Sequence, residues 1–192
     1  MRQEMAEETR ARIIATARSL FAEKGYFSTG TTEIVEAAQV GTRGALYHHF
    51  ADKKALFEAV FEAVEEDLAE QTVGAMTGST AFEQLQQGLD SFLDGSLDPE
   101  VQRILLIDGP AVLGWDGWRK IEARYGLGSI AQILRAGIVD GSITVADPDT
   151  MAHLLLSVVA EAALYIAHDR RRTARSKAGQ SLAALLSGLA TL

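Results

Sequence analysis

Side chains able to do chemistry are densest between Thr29 and Lys54, where the chain reads TGTTEIVEAAQVGTRGALYHHFADKK. The types are hydroxyls, imidazoles, a phenol and long cations, which suits hydrogen bonding to a polyanion better than bond-breaking. Arg43 can fork onto the O6 and N7 of a guanine, the commonest sequence-specific contact to DNA. Tyr47 and His48 are donors of the right length for sugar–phosphate contacts. Thr29 and Thr31 offer hydroxyls to phosphate, and Lys53 and Lys54 offer charge. Gly44 and Ala45 leave room for close approach. Thr42 is placed to cap the helix that carries Arg43, so that its positive N-terminal end faces a phosphate or base edge. Taken alone, Arg43 reads more often as a solvated surface cation; the pattern around it carries the nucleic-acid reading. The adjacent His48 and His49 point about 100° apart on a helix and make a poor metal pair, so no metal site is expected.

These residues need short helices in a fixed relation, and the flanking periodicity supplies them. A first helix over about 8–24 carries Ile13, Ile14, Ala17, Leu20 and Phe21 on one stripe and ends at Gly25. Two short helices are expected at about 30–39 and 42–50, with Thr29 capping the first of them. Ile34, Ala37, Ala38 and Val40 give the small apolar face that lets the two cross closely, while Leu46 and Phe50 turn inward. Two short helices behind a longer one match the helix-turn-helix arrangement.

Helical spacing continues through the chain, with no strand-like alternation of useful length. A long helix starts near Asp52 on Leu56, Phe57, Val60, Phe61, Val64 and Leu68. Gln71 to Thr80 reads as a loop, and Phe82 to Leu93 as a helix closing in GSLDP. Leu127 to Val139 and Pro148 to His168 follow, the latter capped by Asp147. A basic connector, HDRRRTARSK, leads to a last helix carrying Leu182, Leu185, Leu186 and Leu189. The expected fold is all-α with about nine helices: a three-helix DNA-binding bundle over 1–50 and a helical ligand-binding and dimerisation domain over 51–192.

Bulk properties narrow the classes further. The 192 residues are 47% hydrophobic and 23% charged with no cysteine, which excludes a disulfide scaffold, thiolate metal sites and a cysteine nucleophile. The net charge is −8, yet Met1 to Val60 balances eight basic against eight acidic residues, so the rest of the chain carries the whole −8. A polyanion partner is therefore compatible with one end only. The apolar run from Leu154 to Ala167 holds Glu161 and is too short to span a bilayer, and the acidic N-terminus does not resemble a signal peptide. A cytoplasmic protein without a membrane partner is expected. GLGSIA (126–131) fits a dinucleotide fingerprint loosely but lacks the preceding strand. No Ser-His-Asp set, paired-carboxylate motif or HExxH is found, so neither an enzyme nor a cofactor is expected.

The run from Gly25 to Val60, GYFSTGTTEIVEAAQVGTRGALYHHFADKKALFEAV, resembles the tetracycline-repressor (TetR) family of bacterial transcription regulators. The resemblance rests on Gly-Tyr after the first helix, a Thr five residues before Ile34, the Gly44-to-Phe50 core and the acid-Lys pair after it. It covers roughly the first third of the chain. Two positions depart from the pattern. Val40 to Leu46 spans six steps where the family has five, most simply by an extra Gly41, a residue tolerant of unusual backbone angles. Gln39 stands where the family commonly has glycine.

The resemblance implies that the remaining two-thirds dimerises and holds a small-molecule pocket. Dimerisation also has support in the residues. Leu155, Val158, Val159 and Ala162 on one helix, with Leu182, Leu185, Leu186 and Leu189 on the last, suit a four-helix interface between two copies, or else an ordinary core. Ile104 to Gly128 gathers Asp108, Trp115, Trp118, Arg124 and Tyr125 around Gly109-Pro110 and Gly114, which suits a ligand cavity or, equally, an aromatic core at a kink. This stretch resembles a C-terminal subtype associated with actinobacterial members. His153 and Glu161, two turns apart on one helix face, are further candidates for pocket anchors or for the dimer seam. The resulting expectation is a homodimeric, ligand-responsive regulator of the repressor type on a pseudo-palindromic operator in double-stranded DNA, released by a small-molecule effector. Its rivals are a helical enzyme and a helical protein-binding adaptor.

Overall fold

The computed structural model describes residues 2–169, 171 and 173–190. Arg170 and Arg172 of the basic connector lie outside them. Among the described residues there is no strand, only an isolated antiparallel bridge between Ile143 and Ala190. The chain forms two compact units, one of Met1–Val64 with Pro99–Trp118, the other of Glu65–Asp98 with Arg119–Leu192. The first unit thus takes in a returning segment as well as the N-terminal helices.

In the first unit, α1 (Arg2–Lys24) buries Ile13, Ala17 and Phe21 completely, the stripe that periodicity marks. Gly25 ends it with φ +81°, a left-handed conformation that glycine adopts without strain. Next come α2 (Thr31–Ala37), α3 (Arg43–His49) and the start of α4 (Lys53–Gly74). Phe21 meets Phe57 edge-on with ring centroids 5.5 Å apart, and Tyr26 meets Phe57 at 5.1 Å, so three elements share one aromatic cluster. The returning segment comprises α6 (Pro99–Val101), a π-helical stretch Gln102–Asp108, α7 (Gly109–Leu113) and the first turn of α8 (Trp115–Asp140). Arg18 grips Glu100 bidentately at 2.9 and 2.6 Å, and Asp108 accepts the Tyr26 backbone N–H at 2.7 Å. A fully buried Trp118 donates its indole N–H to Leu105 O at 3.0 Å.

The second unit is built from the rest of α4 and α8 with α5 (Ala81–Gly95), α9 (Pro148–His168) and α10 (Ala174–Leu186). Thr80 and Glu83 form a reciprocal capping box on α5. Asp147 caps α9 with Pro148 in its first turn, the cap that the sequence indicates. Leu85, Leu89, Leu93, Leu134, Leu155, Val159, Leu182 and Leu186 belong to one buried cluster. Each such side chain contributes about 1.5–3 kcal/mol when removed from water. By length and composition α9 could cross a membrane, but Ala152, Leu155, Leu156, Val159, Ala163 and Ile166 are buried in this unit.

Several boundaries differ from the sequence expectation, beginning with α1, which starts at Arg2 and not near Glu8. Gln71 to Gly74 continue α4, so the loop begins at Ala75. The glycines at 126 and 128 lie inside α8, which runs unbroken from Trp115; the real break is Gly114, with φ +76°. Ala174 to Lys177 of the basic connector already belong to α10.

Candidate functional site

The turn between α2 and α3 is where sequence and structure meet most closely. Gly41 has φ +81°, so the extra residue is taken up where only glycine is unstrained. Immediately after it, Thr42 is extended and its hydroxyl accepts the Ala45 N–H at 3.2 Å, which is the expected N-cap. Leu46 is fully buried and Phe50 nearly so; these two anchor the helix from beneath. Gln39, also in the turn, is held at φ +54°.

Arg43, Gly44, Tyr47 and His48 face solvent, with Ala45 half-buried beside them. The Arg43 guanidinium and the Thr31 hydroxyl near the Tyr47 phenol hold its pKa below the usual phenol range. Arg43 and Tyr47 on α3 are exposed, and Thr31 at the start of α2 is half-buried beside them. Such a face, with a cation, a phenol and imidazole at one end of a short helix, can hydrogen-bond phosphates and base edges. The His48 and His49 rings lie edge to face at 5.3 Å.

Two expected contact residues are placed otherwise. Thr29 is buried, its hydroxyl donating to Gly25 O at 2.8 Å, and α2 is capped by Gly30 without a side-chain bond. Thr29 therefore fastens the turn after α1 and neither caps α2 nor presents its hydroxyl to a phosphate. Lys53 is half-buried: its ammonium donates to Tyr26 O at 2.5 Å and lies 4.0 Å from the centre of the Tyr26 ring. Burial lowers its pKa, with Asp108 opposing. Its first role is thus to close the first unit, whereas the neighbouring Lys54 is exposed.

The second unit holds a partly open apolar cavity of about 80 Å³ between α4, α5, α8 and α9. Of the six residues expected to bind a ligand, only Tyr125 lines it. Asp108 is committed to Tyr26 and to Arg103 at 3.5 Å; Trp118 is core of the first unit; Trp115 is 59% exposed there. His153 and Glu161 lie on the exposed face of α9. Both tryptophans of the aromatic-rich stretch serve the first unit, in keeping with the alternative of an aromatic core at a kink, and Tyr125 alone faces the cavity. In their place the cavity wall holds Glu65 and Glu122, which the sequence reading did not single out. Burial raises the Glu65 carboxyl to about 8, with the Glu122 charge adding to the effect. Glu122 is raised to about 7, again by burial, although Arg119 at 3.1 Å pulls it back. A signal was present: Glu65 stands one helical turn beyond Phe61, and Glu122 one turn beyond Trp118, both on apolar stripes.

The eight residues expected at a dimer interface divide sharply. Leu155, Val159, Leu182, Leu186 and Leu189 are buried inside the unit's own core, so they are not surface residues of this chain. Val158 and Leu185 are exposed, with Ala162 half-buried between them. Leu154 and Tyr165 extend that exposed face along α9, and Val158, Glu161, Tyr165, Lys177 and Leu185 line a shallow groove between α9 and α10.

A capped helix exposing a guanidinium over a buried under-face, with a second all-helical unit in the same chain, defines a helix-turn-helix DNA-binding protein. Residues 13–60 match the family described as bacterial regulatory proteins of the tetR family. Residues 82–189 match the tetracyclin repressor-like C-terminal domain. A solved TetR-family transcriptional regulator from Pectobacterium atrosepticum is 36% identical with a TM-score of 0.89, over 100% of this chain and 98% of that one. The TetC protein of transposon Tn10 from Escherichia coli is 28% identical over 153 residues, 80% of this chain and 77% of that protein. The regulator AcrR of Shigella flexneri is 52% identical over 52 residues, a local likeness covering 27% of this chain and 24% of that protein. The chain belongs to the tetracycline-repressor family and is a DNA-binding transcription regulator.

Proposed function

We propose that this regulator is a homodimeric repressor which releases its operator when a small molecule occupies the cavity of the second unit. The observation that carries the reading is the capped helix α3, which buries Leu46 beneath and turns Arg43, Tyr47 and His48 to solvent. Arg43 reads a base, while Thr31, Thr42, Tyr47 and His48 fix the register on the backbone and Gly44 and Ala45 permit close approach. Uptake of the extra turn residue at Gly41, with the Thr42 cap intact, supports DNA binding over an adaptor that has lost it.

Two further arguments support the dimer. One short helix reads few base pairs, and two-fold symmetry doubles the site, with half-sites about 34 Å apart. The exposed apolar residues on α9 and α10 form a face that a second copy would cover. The cavity supports the effector role, for which a coupling of about 1–3 kcal/mol is expected. The protein would work in the cytoplasm, where operators are.

Selection from random duplex DNA with the purified protein, repeated at two salt concentrations, tests the reading. An enriched two-fold-symmetric site whose affinity falls steeply with salt is expected. An enriched site without symmetry would contradict the dimer, and no enrichment would contradict the repressor.

A further inference from the structure

The helical run from Pro99 to Leu113 changes register in its middle. Gln102–Asp108 is π-helical, a rare geometry bonded i to i+5 and frequent at functional sites. Pro110 has no N–H, so an α-helix would leave the Leu106 carbonyl without its backbone partner, and the π register leaves the Leu105 carbonyl without one instead. The buried Trp118 indole donates to Leu105 O at 3.0 Å and so satisfies the carbonyl that the π register orphans. Register also decides which side chains share a face. Residues five apart point about 140° from each other in an α-helix. In a π-helix they stand nearly one above the other. Arg103 and Asp108 are such a pair, and they reach one turn: the guanidinium donates to Lys24 O at 3.1 Å, and the carboxylate accepts the Tyr26 N–H at 2.7 Å. Between those two bonds lies Gly25, at φ +81°, where a Cβ would fall 2.2 Å from Arg103 Nη2. The same turn leads into the DNA-binding helices. Gly25 O accepts the Thr29 hydroxyl at 2.8 Å, just before Gly30 caps α2, and Tyr26 O accepts the ammonium of Lys53, the first residue of α4, at 2.5 Å.

We propose that Arg103 and Asp108 are positioning residues for DNA binding, brought onto one face by the π register of 102–108, and that a shift of this stretch to α-helix gives the non-binding state. The inference rests on DNA binding through α3 and needs no ligand in the cavity. In the π state the clasp fixes the carbonyl before Gly25 and the N–H after it, which sets the angle at which α2 leaves α1. Thr29 and Lys53 pass that constraint to both ends of the α2–α3 pair. In the α state the two side chains point apart, so at most one reaches the turn. Either Lys24 O or the Tyr26 N–H then loses its partner, and α2 is no longer held. Trp118 is the natural control point. It lies at the start of α8, which runs on to Asp140 in the second unit. A rotation of α8 that withdraws the indole from Leu105 O removes the bond that selects the π register, and the clasp opens with it.

The test joins amide hydrogen exchange of the free protein to equilibrium binding of the selected operator. Pro110→Ala, Asp108→Ala and Arg103→Ala are compared with the parent protein, and Glu161→Gln, on the exposed face of α9, is the control. Pro110→Ala restores the missing N–H and opens the α register without removing a clasp residue. Its urea midpoint is expected to equal or exceed the parent's, because proline is the poorest helix former. Exchange at Tyr26 and along α2 is nonetheless expected to quicken about tenfold. Operator affinity is expected to fall about tenfold, with affinity for a nonspecific duplex within about threefold of the parent's. Weaker operator binding by a variant that is no less stable is a result that a merely structural role would not give. Asp108→Ala and Arg103→Ala are expected to quicken exchange at the same amides and to weaken operator binding about tenfold each, and the double variant no more than the worse single. Exchange in α5 and α9 is expected to stay as in the parent. Operator binding by Pro110→Ala as tight as the parent's, parental exchange along α2 in all three variants, or additive losses in the double variant overturns the proposal. Quickened exchange with unchanged operator affinity overturns it too, since the clasp would then serve the fold alone. Should selection yield no operator, the repressor reading fails by itself, and exchange along α2 still upholds or overturns the clasp.

Discussion

Gln39 and Gly41 sit two residues apart in the same turn, each with positive φ, and only one of them is the residue such a backbone favours. A side chain in the left-handed region costs about 1–2 kcal/mol, partly offset by the extra entropy that glycine loses on folding. Gln39→Gly is therefore expected to stabilise the protein by about 0.5–1 kcal/mol, seen as a higher urea midpoint with unchanged slope. Gly41→Ala is expected to do the reverse. The resemblance had marked both positions as departures, and the backbone angles give the physical content of each. Thr29 shows where residue-level reading stopped. Its place before α2 suggested a cap, but its hydroxyl turns back to Gly25 O, four residues earlier, and the turn that allows this is not encoded in the helical spacing.

At the scale of elements, helical periodicity was a sound guide to faces and a poor guide to which neighbour covers them. Pro148–His168 and its Asp147 cap were legible because cap, proline and stripe coincide. The same stripe misassigned Leu155 and Val159 to a surface, since an apolar position looks alike whether it meets its own core or a second copy. The charged pair Glu65 and Glu122 was missed for the converse reason: glutamate reads as solvated, although each occupies a core-facing turn. Exposure now separates the roles on α9 and α10. Leu185→Asp, at a position 62% exposed, is expected to leave the helical signal and urea midpoint nearly unchanged and to shift the protein to monomer in sedimentation. Leu186→Asp, 2% exposed, is expected to unfold the unit instead. A dimer that survives Leu185→Asp would move the interface elsewhere.

For the whole molecule, the raised carboxyls make stability depend on pH in a definite direction. Glu65 titrates near 8 in the folded chain and near the ordinary carboxylate value when unfolded. The folded state therefore holds a proton that the unfolded state has released. The stability this gives is fully present below the unfolded value and is lost as pH rises towards 8. Between pH 5.5 and 8 the loss from Glu65 alone is on the order of 3 kcal/mol, and Glu122 adds a smaller share. Urea unfolding at those two pH values should show Glu65→Gln gaining on the parent protein by that order. Equal pH dependence in the two proteins would mean that Glu65 is solvated. The helical class of the molecule was legible from the sequence, as was its N-terminal motif. The return of Pro99–Trp118 to the first unit was not, because Arg18–Glu100 and Tyr26–Asp108 join residues 82 positions apart.

The central claim is that the exposed face of α3 reads base sequence through Arg43, and equilibrium binding to the selected operator tests it most directly. Arg43→Ala should be compared with the parent protein on that duplex and on variants substituted at each base pair of one half-site. The account expects a loss of about 1–3 kcal/mol on the operator and relaxed discrimination at one base position per half-site, with the other positions read as before. An affinity that falls equally on every duplex, or discrimination that stays intact at all positions, would contradict it.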